Sequence, residues 1–140
     1  MTHFIYNGLP QPQYKIPTTR GKFKVFKDDG ELDFICEAIS GGGGKGALPS
    51  GEYLAKDFNL TDDPAMSRYG IGFFIQLEPQ FETDRTDLLI HLDGGKLGGL
   101  GCICLLPQDA PTNIDEAGRV MNRLGNIMVA SPYGVRLTVA

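Results

Sequence analysis

Tryptophan is absent from this chain of 140 residues, histidine occurs only twice and cysteine only three times. Any chemistry that needs an imidazole or a thiol is therefore confined to His3, His91, Cys36, Cys102 and Cys104. An odd number of cysteines, two of them at C-x-C spacing, argues against a disulfide framework. Long hydrophobic runs are missing as well. No window reaches the roughly 18 apolar residues of a membrane span, so no integral membrane segment is expected. The opening "MTHFIYNGLPQ" has neither the basic start nor the continuous apolar core of a secretion signal, which predicts synthesis as a soluble cytoplasmic protein. Basic blocks are lacking too: lysine and arginine total 13 against 17 acids, for a net charge of -4. That balance excludes a nucleic-acid-binding surface and is too small for an acidic interaction tail.

What the chain has in abundance is punctuation. Nineteen glycines and nine prolines interrupt short apolar stretches at the spacing of strands and turns, and the length suits a single domain over residues 1–140. The expected fold class is mainly β, a small sheet or sandwich with one C-terminal α-helix. Lys22–Phe26 ("KFKVF") alternates charged and apolar residues, "KDDGE" supplies a turn and Leu32–Cys36 ("LDFIC") returns as the partner of a hairpin. Further strands are expected at Glu52–Ala55, Gly72–Leu77, Asp87–His91, Gly101–Leu106, Ile127–Ala130 and Val135–Val139. Asn59–Tyr69 reads as a polar loop with a short helical turn at "DPAMSRYG". The helix falls in "PTNIDEAGRVMNRLGN", where Ile114, Ala117, Val120, Met121 and Leu124 recur at helical spacing, Thr112 is the N-cap and Gly125 the terminator. Gly118 in its middle costs about 1 kcal/mol relative to alanine, and its presence points to close packing against the sheet.

The segment "IHLDGGKLGGLGCICL", Ile90 to Leu105, gathers the rare residues. A strand ending at His91 delivers its imidazole to a glycine-rich loop, and a hairpin with a wide loop would return Cys102 to within hydrogen-bond reach of it. A thiol of pKa about 8.5 is mostly protonated at neutral pH, whereas the thiolate is the nucleophile. An adjacent imidazole supplies the base and later a proton for a leaving amine. Gly101 leaves the backbone N–H groups beside the thiol unobstructed, and two such donors converging would hold an oxyanion. Two other readings stand beside this one. Cys102 and Cys104 serve as well as small buried strand residues, with His91 a satisfied core histidine. His91, Cys102 and Cys104 are also zinc-ligand types, the two thiols sharing one strand face, with only His3 and Cys36 left as a soft fourth ligand. Elsewhere, "GGGGKG" lacks the spacing of a phosphate loop, and "EPQFETDRTD" lacks that of a calcium loop. His3 lies by a terminus expected to fray, Cys36 reads as core, and no cofactor is expected.

The same stretch resembles the histidine and cysteine signature of the L,D-transpeptidase (YkuD-like) cysteine enzymes of peptidoglycan, in which an upstream histidine precedes a segment ending in [Ser/Thr]-x-Gly-Cys. Its short spacing resembles the type VI secretion L,D-transpeptidase effectors and related phage proteins, with segments like "IH-x-DG-x-x-G-[ST]-x-GCI". Upstream, "CEAISGGGGKGALPSGEYLA" is similar to that branch's "A-x-SG" element followed by "PxGxY", carried here by Ala38, Ser40, Gly41, Pro49, Gly51 and Tyr53. Together the matches run from about Lys22 to Leu106. The resemblance implies a YkuD-like catalytic domain with Cys102 as nucleophile, His91 as base, and the Gly101 and Cys102 amides at the oxyanion. It implies tetrapeptide stems of peptidoglycan as substrate. Lys96, Arg68 and Arg85 are then candidate anchors for stem carboxylates, and Gly99 a substrate-side position.

The pattern departs at three places: Gly99 replaces a Ser or Thr hydroxyl, Leu100 stands where many transpeptidases have a histidine, and Cys104 where the wider family often has a polar residue or arginine. The implied site of action is the periplasm or cell wall, reached by specialised secretion or host lysis, with a secretion apparatus or an immunity protein as further partners. The rival expectation is a non-catalytic cell-wall-binding or structural module of a phage or secretion system that keeps the fold.

Overall fold

The structure, a computed structural model, describes residues 1–41, 46–68, 70–93, 102–106 and 113–140. Within these, alternating apolar residues build the strands β1 (His3–Pro10), β2 (Thr18–Phe26), β3 (Leu32–Gly41), β4 (Gly51–Leu60), β5 (Ser67–Arg68), β6 (Ile71–Pro79), β7 (Leu88–Leu92), β8 (Ile103–Leu106) and β9 (Val135–Val139). A 3-10 turn at Pro64–Met66 precedes β5, and the helix α1 (Asn113–Val129) lies between β8 and β9.

Hydrogen bonding runs β4-β9-β1-β2-β3-β8-β7-β6 and returns to β4 through a β4–β6 pair, so that eight strands close into a barrel with β5 appended to β6. The chain is mainly β with a single helix among the described residues, as expected, but the sheet or sandwich is a closed barrel. Closure follows from β6, which is long enough to pair β4 on one side and β7 on the other; it removes the exposed edges that an open sheet would present. An eight-stranded barrel has an interior just wide enough for side chains to fill. Here Phe4, Tyr6, Phe23, Tyr53, Phe73 and Ile90 are among those that fill it, all buried. Phe4 and Phe23 pack with ring centroids 5.2 Å apart.

The hairpin from β2 to β3 forms where the sequence predicts it, in a longer version, with Phe23 opposite Cys36 and Phe26 opposite Leu32. From His3 onward the amino terminus is built into the barrel. β1 is paired on both sides, antiparallel to β2 and parallel to β9, and His3 Nε2 lies 2.9 Å from Thr138 Oγ1. Phe4 and Tyr6 alternate into the core and supply the burial that holds it.

The polar loop expected at Asn59–Tyr69 shrinks. Asn59 and Leu60 belong to β4, and Asp63 caps the 3-10 turn by accepting from the Ala65 amide at 2.9 Å.

At the other end of the chain the expected strand Ile127–Ala130 is absent, because α1 continues to Val129. Ala117, Val120, Leu124 and Met128 keep one apolar stripe facing the core across Gly125, so burial carries the helix past that glycine. Gly125 is there for contact rather than termination: a Cβ on it would stand 3.2 Å from Cζ of Phe58. Thr112, the expected N-cap, lies outside the described residues.

Candidate active site

β7 is short and almost wholly apolar, and its alternation sends Leu88, Ile90 and Leu92 into the barrel core. His91 therefore points to the opposite face. On β8 the same alternation sends Ile103 and Leu105 inward, while Cys104, with Cys102 just before the strand, joins Ile39 of β3 in a separate buried cluster packed by Leu89 and Leu106. His91, Cys102 and Cys104 are thus brought to one region, outside the barrel core.

The pairing of β7 with β8 differs from expectation. These strands are parallel, not a hairpin, with Ile90 opposite Ile103, His91 opposite Cys104 and Leu92 opposite Leu105. In a hairpin the last residues of one strand face the first of the next, which would set His91 against Cys102. In a parallel pair they face residues further along, and Cys104 takes that place. The Asp93 amide extends the ladder by donating to the Leu105 carbonyl at 2.9 Å.

The imidazole is held at both nitrogens. Nδ1 lies 2.7 Å from the Leu92 carbonyl oxygen. A carbonyl only accepts, so Nδ1 carries the hydrogen and the neutral ring keeps its lone pair on Nε2. Nε2 lies 3.8 Å from Cys104 Sγ. Burial lowers the His91 pKa, opposed by the Leu92 hydrogen bond and by the charges of Asp93 and Asp63, so the resting ring is neutral. A neutral imidazole whose Nε2 lone pair faces the Cys104 thiol is able to accept a proton there. Cys36, by contrast, sits in the barrel core, and burial pushes its thiol up to about 12, which leaves it inert.

Of the two upstream matched elements, the first adjoins this face through β3, and the second belongs to β4 in the barrel wall. β3 runs antiparallel to β8 with Ile39 opposite Cys104 and Ser40 opposite Ile103, so the "A-x-SG" element adjoins the thiol strand directly. Ser40 Oγ accepts from the Leu48 amide at 3.0 Å. Gly41 holds φ +94, and a Cβ there would meet the Pro17 carbonyl oxygen at 2.4 Å, which only glycine avoids. Tyr53 donates its hydroxyl to the Pro49 carbonyl at 2.6 Å, while Gly51, at φ +148, leaves the space where a Cβ would strike the Phe81 ring. Arg85 donates to the Gly46 carbonyl at 3.0 Å and the Ala47 carbonyl at 3.4 Å. It therefore pins the segment before the "PSGEY" turn.

Lys96, Gly99, Leu100 and Gly101 lie outside the described residues, as does the side chain of Arg68, whose backbone forms β5. Among the described residues no group of three or more His, Cys, Asp or Glu is arranged to hold a metal ion, His91, Cys102 and Cys104 included. Also among them, no helix is long and apolar enough to cross a membrane. The residue that sequence reading passed over is Cys104 as a partner of His91. Its signal was the C-x-C spacing, which sets both thiols on one face and leaves the choice between them to the strand register. No protein-family profile, curated protein or solved structure significantly matches the chain.

Proposed function

We propose that the chain is a cysteine-dependent L,D-transpeptidase or L,D-carboxypeptidase acting on peptidoglycan tetrapeptide stems, YkuD-like, with Cys102 as nucleophile and His91 as base. The observation that carries this reading is the neutral, tautomer-fixed imidazole whose Nε2 faces Cys104 Sγ, in the buried cluster that also holds Cys102. The adjoining "A-x-SG" strand adds the second matched element in register.

In this mechanism the Cys102 thiol gives its proton to His91 Nε2, and the thiolate attacks the carbonyl carbon at the L-centre of meso-diaminopimelate. A C–S bond forms as the carbonyl electron pair moves to oxygen, where the Gly101 and Cys102 amides receive it; such donors are worth about 10² to 10³ in rate. Collapse breaks the C–N bond, and the imidazolium returns its proton to the departing D-alanine amine. Water then resolves the thioester to a carboxypeptidase product, a D-amino acid to an exchanged stem, and another stem's amine to a cross-link. Lys96 and Arg68 serve as anchors for the stem carboxylates. Arg85 acts through the Gly46–Ala47 backbone whose carbonyls it holds. The working place is the cell wall, reached through a secretion apparatus or by lysis.

Incubation with tetrapeptide muropeptides is expected to release D-alanine, and the Cys102→Ala variant to release none. Equal release by both proteins, or by neither, overturns the assignment. A second reading, a non-catalytic cell-wall-binding or structural module, draws on the burial of the thiols, Cys102 being only 5% exposed and Cys104 1%. Alkylation separates the two: a base-paired thiol labels rapidly well below pH 8, whereas labelling that tracks global unfolding favours the module.

A further inference from the structure

We propose that Cys104 is a positioning residue for His91, its S–H donating to Nε2 and holding the imidazole plane turned toward the thiol face. The catalytic consequence rests on the transpeptidase reading; the contact does not.

The parallel register sets the two residues directly opposite one another, with Sγ and Nε2 3.8 Å apart. Since the Leu92 carbonyl requires the hydrogen on Nδ1, Nε2 of the neutral ring is an acceptor, and the thiol is the group able to donate across this contact. A ring anchored at Nδ1 alone can still swing about that bond, whereas a contact at each nitrogen defines its plane. This is the logic by which a second partner orients a catalytic or ligating histidine.

The surroundings strengthen the case. Ile39, Leu89 and Leu106 pack the cluster that holds the thiols, and in apolar surroundings a ring nitrogen gains more from a weak donor than it would in water. The charged groups acting on His91 are Asp93, just beyond the end of β7, and Asp63, ahead of the 3-10 turn; both are acids, and neither can donate to Nε2 when ionised. During turnover the same Nε2 must take the Cys102 proton, so the Cys104 contact has to be weak enough to yield. A thiol, a poorer donor than a hydroxyl or guanidinium, meets that need.

The test is nitrogen-15 NMR of the His91 ring in a His3→Gln background, which leaves one imidazole to observe, applied to the parent and to Cys104→Ala, Cys104→Ser and Cys102→Ala. Turnover of tetrapeptide is measured in parallel on the Cys104 variants. Thermal unfolding of each variant establishes that it is folded. The parent is expected to show a protonated Nδ1 and an accepting Nε2. Cys104→Ala should shift the Nε2 resonance, and Cys104→Ser, which keeps a donor, should move it back toward the parent position. On the transpeptidase reading, Cys104→Ala should lower kcat by about 10²-fold at nearly constant KM, the scale of misplacing a catalytic group by an ångström, with partial recovery in Cys104→Ser. An Nε2 resonance that ignores Cys104→Ala but follows Cys102→Ala overturns the proposal, as does an acyl group mapped to Cys104 itself. If the parent releases no D-alanine, the transpeptidase reading falls and the NMR arm still decides the positioning role.

Discussion

His91 is buried at 4% exposure and paired through both ring nitrogens, so its protonation is coupled to the stability of the whole chain. Burial lowers its pKa below the ordinary 6.5. The unfolded chain therefore takes up a proton first as the pH falls, and stability present in full above about pH 6.5 declines from there down to the lowered folded value. His3 is lowered with the same sign, chiefly by its own burial. Urea unfolding across pH 5.5 to 8 should show this decline, and His91→Asn should reduce it, leaving the share of His3. A profile unchanged by the substitution would mean that His91 titrates alike in both states.

At the scale of elements, the register of two parallel strands decides which thiol lies opposite His91. The alternation of β7 and β8 in the sequence predicts which residues share a face, but it is the same whether the strands are parallel or antiparallel. The partner of His91 is therefore invisible to it. Helix α1 shows the opposite balance, its apolar stripe being readable at every buried position from Ala117 to Leu124. Only its end was misjudged, since a glycine that stops an isolated helix is overridden when Met128 gains burial one turn later. The two glycines of α1 should respond differently to alanine. At Gly118 a Cβ would meet only Ile71 Cδ1, at 3.6 Å, an ordinary contact, so close packing does not demand glycine there. Gly118→Ala is expected to stabilise by roughly 1 kcal/mol, the helix-propensity gain. At Gly125 the Cβ would press on the Phe58 ring at 3.2 Å, and the same substitution should gain less or lose. Denaturation midpoints of the two variants compare them directly; a stabilising effect at Gly125 equal to that at Gly118 would contradict this packing.

Over the whole molecule, stability depends on closure. β1 bridges β9 and β2, so the first ten residues are a stave of the barrel and not an appendage. Removing residues 1–10 exposes both neighbouring edges and empties Phe4 and Tyr6 from the core. The truncated chain should lose its cooperative unfolding transition, seen by circular dichroism or tryptic digestion; retention of a sharp transition would show that the other strands suffice. The pairing that completes the barrel, β4 with β9, joins segments distant in sequence. Refolding is accordingly expected on the millisecond-to-second scale typical of non-local β topologies.

Period-two alternation and turn residues were enough to read a mainly β chain, the hairpin of β2 and β3, most later strands, and the gathering of His91, Cys102 and Cys104 into one segment. These are local properties, set by which side chains avoid water and where glycine and proline break the chain. Closure into a barrel, the docking of β1, the extension of α1 and the meeting of His91 with Cys104 were decided only by the tertiary structure. Each depends on hydrogen bonds or burial between separate elements, and alternation carries no information about which strand will pair with which, or in which direction.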